Sequence, residues 1–129
     1  MLMAKVVECS IIIKDDFNNV FIVQRKTKKN EPKLWYSVGK KVRGKESEEK
    51  CISRAVKEDL KSIIFNLERI GEVLNKERDE ICAVYKGELK ERVTYGNDIV
   101  DGKWLSSKEI DDCDLAAGER EKILMYINR

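Results

Sequence analysis

One charged helix with a narrow apolar stripe, set between runs of β-branched residues, restricts this chain more than any other feature. Ser47 is a good N-cap, and from it "EEKCISRAVKEDL" places Cys51, Ile52, Ala55, Val56 and Leu60 on one side. A stripe of that kind must bury against a partner, and its neighbours offer strands. Before it, "AKVVECSIII" and "VFIVQRK" are joined by the Asp- and Asn-rich "KDDFNN", the pattern of a hairpin. After it, "SIIFNLERIGEVLN" and "EICAVYKGEL" read as two longer strands around the polar turn "KERD". "YGNDIVDGKWL" then reads as a loop feeding a short strand that ends at Trp104, and "SSKEIDD" as a capped turn. "LAAGEREKILMYIN" closes the chain as a second amphipathic helix carrying Ala116, Ile123, Leu124 and Ile127. This order predicts an α+β fold, a mixed sheet between helices, because a doubly wound parallel sheet would alternate strand and helix more regularly.

With 129 residues and 42% hydrophobic content, the chain is expected to form one domain, 1–129, with its own core. Charged residues are abundant but nearly cancel, leaving a formal +2. A broad polyanion-binding face would need more than that, so nucleic acid is not an expected partner. Cys9, Cys51, Cys82 and Cys113 are dispersed and no histidine is present, which argues against a structural zinc. The N-terminal "MLMAKVVECSIIIKDD" lacks a basic leader and no apolar run approaches a membrane span, so the expected setting is soluble and cytoplasmic, with reduced thiols and no membrane contact. Without histidine, hydrolytic chemistry would have to rest on carboxylates, together with a metal.

The acidic helix is where carboxylates gather. Arg54 and Glu58 lie four apart and share a face, and Glu46 just ahead of the helix can reach back to Arg54. On pairing alone this is an ordinary solvated helix, whose salt bridges contribute a few tenths of a kcal/mol each. The spacing says more. Glu46, Arg54 and Glu58 stand where the box G-x5-E-x7-R-E-U-x-E-E-x-G-U has its first glutamate, its arginine and a metal-binding glutamate. Trp35 precedes Gly39 as in "W-x-x-P-G-G", Val56 fills the apolar position and Asp59 replaces the last glutamate. The chain resembles the Nudix hydrolases, most closely the small MutT-like members, and the resemblance spans the whole domain through "VFIVQRK" and "DGKWLSSKEI".

That resemblance implies an α/β/α sandwich on a mixed sheet and Mg²⁺ or Mn²⁺ held by box carboxylates. The activity it implies is cleavage of a nucleoside diphosphate linked to another moiety, or of another phosphoanhydride ligand, by metal-assisted attack of water on phosphorus. It assigns metal binding to Glu58, Asp59 and Asp98, with the Gly39 carbonyl as a further donor. Glu58, Arg54 and Glu46 would form the catalytic group, the last two keeping loop and helix in register. Arg25, Gln24, Lys40 and Gly39 would contact substrate.

Three box positions depart from the family: Lys40 replaces the second glycine, Ala55 the glutamate after the arginine, and Lys61 the glycine that ends the helix. Ala55 removes a metal ligand or general base, a loss of about 10²–10⁴ in rate where a base is missing. Asp98, Asp101 and Glu80 are the carboxylates left to substitute for it. Lys40, with Lys41, Arg43 and Lys45, makes the loop basic. At the base-reading place before the last helix stands Gly118, with no side-chain amide for an oxidised guanine. The alternative is therefore a Nudix domain that binds a nucleotide or pyrophosphate ligand, or a partner, without cleaving it. Trp35, Tyr36 and Trp104 are expected in the core rather than as stacking platforms.

Overall fold

The computed structural model describes residues 5–90 and 92–128. Its strands are β1 (Lys5–Lys14), β2 (Val20–Arg25), β3 (Trp35–Tyr36), β4 (Val38–Lys41), β5 (Ile64–Asn75), β6 (Glu80–Leu89) and β7 (Ile99–Leu105). Helix α1 spans Glu48–Leu60, a 3-10 turn covers Ser107–Asp112, and α2 runs over Glu119–Ile127. The hairpin expected around "KDDFNN" forms, helped by Asn18 at φ 61° and by Asp15 Oδ1, which accepts from the Phe17 and Asn19 amides.

All seven strands join in one mixed sheet with the path β3-β2-β1-β6-β5. β1 runs parallel to β6 and antiparallel to its other neighbours. Its first half pairs with β4, from Glu8 opposite Lys41 to Ile11 opposite Val38, and its end pairs with β2. β7 lies along the other edge of β2. This divergence of β4 and β2 from a shared β1 opens the sheet beside α1, and Gly39 and Arg25 lie at the opening.

Because side chains alternate along β1, two cores form. Cys9, Ile11 and Ile13 face α1, where they meet Cys51, Ile52, Ala55, Val56 and Leu60, all fully buried. Ile12 faces the opposite layer with Val20, Ile22, Val84, Leu105, Ile110, Ile123 and Tyr126. Helices thus cover both faces, the α/β/α sandwich that the resemblance implies. Ser47 caps α1 by accepting from the Lys50 amide at 3.2 Å, and Glu48 ties its first turn to the sheet through Tyr85 Oη (2.8 Å) and Arg69 Nε (3.0 Å).

Two expectations need correction. α2 begins only at Glu119, after Gly118 at φ 84°, so Ala116 precedes the helix, and its buried face is Glu119, Lys122, Ile123 and Tyr126 rather than the purely apolar set. Trp104 is not a core residue: it is 42% exposed and packs edge-on against Phe21, with ring centroids 5.2 Å apart. Trp35 and Tyr36 are half-buried, and the Lys103 ammonium lies 4.5 Å from the Trp35 ring centroid. Among the described residues, no helix is long and apolar enough to cross a membrane.

Candidate functional site

Three residues spaced along the loop and helix come together around one guanidinium. Arg54 donates through Nε to Glu46 Oε2 (2.9 Å), through Nη2 to Glu46 Oε1 (3.0 Å) and to the Lys41 carbonyl (2.8 Å), and through Nη1 to Glu58 Oε1 (3.2 Å). Glu46 also accepts from the Arg43 amide. The forked pair joins the loop end to the middle of α1, and Arg54 holds the Glu46 carboxyl at about 2, below its ordinary 4.5. Glu58 remains 38% exposed and borders a cavity of about 600 Å³ formed with Ser53, Lys57, Lys61, Ser62, Ile63 and Ile64.

A second cluster forms where β2, β4, α1 and the loop before β7 meet. Asp59 lies on the apolar side of α1, three residues after Val56, and its side chain is 2% exposed. Both its oxygens are taken: Oδ2 by Arg25 Nη2 at 2.8 Å and Oδ1 by Lys40 Nζ at 3.2 Å. Arg25 also donates to Asp98 Oδ2 at 2.8 Å and to the Gly39 carbonyl at 3.3 Å. Burial works against the Arg25 charge, but Asp59 and Asp98 outweigh it and raise its pKa.

Local sequence explains how these groups meet. The β2–β7 register slips between Gln24 and Arg25, passing over Val100, a bulge that re-aims the strand end. Gly39 admits no side chain, because a Cβ would lie 2.6 Å from the Cys9 carbonyl and 2.8 Å from Ser10 Oγ. The loop carrying Asp98 is pinned to α1 by the Gly96 amide on the Asp59 carbonyl, 2.8 Å, and a Cβ at position 96 would lie 2.0 Å from the Glu58 carbonyl oxygen.

Sequence reasoning placed Arg25 and Lys40 against substrate and Asp59 and Asp98 against metal; in the structure the two sets bind each other. A hard divalent cation needs free oxygen donors in an anionic setting. Here Gly39 O, Asp59 and Asp98 all serve Arg25, and the formal charges of Arg25, Lys40, Asp59 and Asp98 sum to zero. Glu58 serves Arg54 instead, and Ala55 is fully buried in the core beneath α1. Among the described residues, no three Asp, Glu, His or Cys side chains gather closely enough to hold an ion. The arrangement does not fit the expected Glu58, Asp59 and Asp98 metal set.

The remaining candidates stand apart. Gln24 donates to the Lys33 carbonyl at 3.4 Å, bracing the loop after β2. Asp101 Oδ1 accepts from the Gly102 amide. Glu80 lies in the wall of a different cavity, beside Gly118 and Lys122. The feature that motif reading missed is a cavity of about 320 Å³ lined by Arg25, Lys26, Thr27, Lys33 and Val100, whose charged groups are all cationic. Its sequence signal was the density of lysines after Arg25 in "RKTKKNEPK".

Known proteins share this architecture. A MutT NUDIX hydrolase from Burkholderia pseudomallei superposes with TM-score 0.76 at 19% identity, over 94% of this chain and 97% of its own. The NUDIX domain of Shewanella oneidensis NrtR, solved with ADP ribose, gives 0.76 at 20% identity over 99% and 90%. An ADP-ribose pyrophosphatase from Streptococcus suis gives 0.74 at 16% identity over 94% and 88%. At these identities the likeness shows the fold. No curated protein matches the sequence significantly. The model of the NUDIX domain family, however, matches residues 5–126, nearly the full length, and the chain belongs to that family.

Proposed function

We propose that this Nudix domain binds a nucleoside diphosphate linked to another group, and that binding rather than cleavage is its main task. The observation that carries the reading is Arg25. Its guanidinium spans the Asp59, Asp98 and Gly39 oxygens and also walls the cavity that Lys26 and Lys33 make cationic. A guanidinium held on one side by carboxylates is a rigid donor for phosphate oxygens on the other, losing little side-chain entropy when a ligand arrives. Ala55 and the neutralised Asp59 leave the usual cleavage machinery incomplete. The ADP ribose bound by the NrtR domain is a ligand of the class this site suits.

The test is calorimetric titration with ADP-ribose, with product analysis of the same samples after incubation with Mg²⁺. Saturable binding without phosphoanhydride cleavage is expected, and Arg25→Gln should weaken affinity by about tenfold or more, the scale of one lost charge-assisted contact. A second reading, hydrolysis, is favoured by one observation: the Glu46–Arg54–Glu58 clamp is intact and leaves the Glu58 carboxylate partly exposed beside a cavity. Mg²⁺-dependent turnover that disappears in Glu58→Ala would establish that reading in place of the first.

A further inference from the structure

We infer that this domain holds the phosphates of its ligand without a divalent cation, because Arg25 and Lys40 already occupy the oxygens such an ion would need. The inference rests on the ligand class proposed above and concerns how that ligand is held.

Relative to the box pattern, lysine at position 40 adds one positive charge where glycine has none, and alanine at position 55 removes one negative charge where glutamate has it. Together they shift the site by two positive units, the charge of one Mg²⁺. Geometry points the same way. Gly39 O, Asp59 Oδ2 and Asp98 Oδ2 all converge on Arg25, and Asp59 Oδ1 on Lys40, so four oxygens from β4, α1 and the loop before β7 are satisfied from within. An entering ion would have to displace a guanidinium from a carboxylate that is 2% exposed, and it would leave that guanidinium in need of new partners.

Asp59 is sealed beneath its two cations, while the Lys40 and Arg25 side chains keep 26% and 19% of their surface. Asp98 is the more open carboxylate at 51%, but its Oδ2 is directed at Arg25. Beyond Arg25 the cavity wall supplies Lys26 and Lys33 and no acid. Anionic oxygen arriving there meets the fixed Arg25 guanidinium and two lysines directly, the role that a metal plays where carboxylates predominate.

The experiment is titration of the 129-residue protein with ADP-ribose, once in EDTA and once in excess Mg²⁺. Affinities agreeing within roughly threefold are expected, well under the tenfold that a shared ion would supply. Affinity about tenfold or more higher with Mg²⁺, or binding only with Mg²⁺, overturns the inference while the ligand class stands. Absence of binding in both buffers overturns the ligand class and the inference together. Lys40→Gly, a change in the half-buried strand β4, should weaken binding in EDTA, and Lys40→Arg should restore it. Unchanged affinity of Lys40→Gly in EDTA would overturn the part assigned to Lys40.

Discussion

Lys61 ends α1 in the left-handed region, at φ 50° and ψ 39°, with its amide on the Lys57 carbonyl at 3.1 Å. The family pattern has glycine there, and the structure keeps the conformation while replacing the residue best suited to it. Lys61→Gly should therefore stabilise the domain by about 0.5–1 kcal/mol, the left-handed strain relieved less the added entropy of an unfolded glycine; urea denaturation would measure it. Glu46 carries a different consequence. Because its carboxyl falls from 4.5 unfolded to about 2 folded, its contribution is complete above pH 4.5 and is lost as pH drops toward 2. Glu46→Gln, lacking that group, should show a flatter urea midpoint across this acid range than the parent. At the residue scale the clamp was legible, since Arg54 and Glu58 share a helix face and Glu46 stands just ahead of that helix, within reach of Arg54. The Asp59–Arg25–Lys40 cluster was not, because it joins positions 25, 40 and 59 through strand pairings that no local period encodes.

Of the two helices, α1 was readable because its stripe is apolar and its cap is local. α2 was not, because its buried face contains an ion pair. Lys122 Nζ lies 3.1 Å from Glu119 Oε1 and 2.9 Å from Ser10 Oγ, and Glu119 accepts from the Ser37 hydroxyl at 2.8 Å. Burial pulls the Lys122 ammonium toward neutrality, but the Glu119 charge prevails and its pKa is raised. A pattern built on hydrophobic residues assigns such positions to solvent. Removing one partner strands the other in the second core, so Lys122→Met should destabilise by about 3–5 kcal/mol. Glu119→Leu with Lys122→Met should cost clearly less than the two single changes added, as a double-mutant cycle in urea would show; simple additivity would contradict the coupling.

Taken whole, the molecule is a Nudix sandwich in which the loop, strand end and helix still converge, but on a salt-bridged cluster. The layering followed from the order of elements, since a mixed sheet between helices is the simplest packing for that order. What the site does with its charge required the fold, because the neutralising cations come from β2 and β4 and the carboxylates from α1 and the loop before β7. Metal-free phosphate binding is tested most directly by a crystal grown with ADP-ribose and Mn²⁺, with the metal located by its anomalous scattering. Phosphate oxygens are expected on Arg25 and no metal at Asp59, whose contacts with Arg25 and Lys40 persist. An ion at about 2.0–2.2 Å from Asp59, Asp98 and the Gly39 carbonyl, with Arg25 swung away, would contradict metal-free binding.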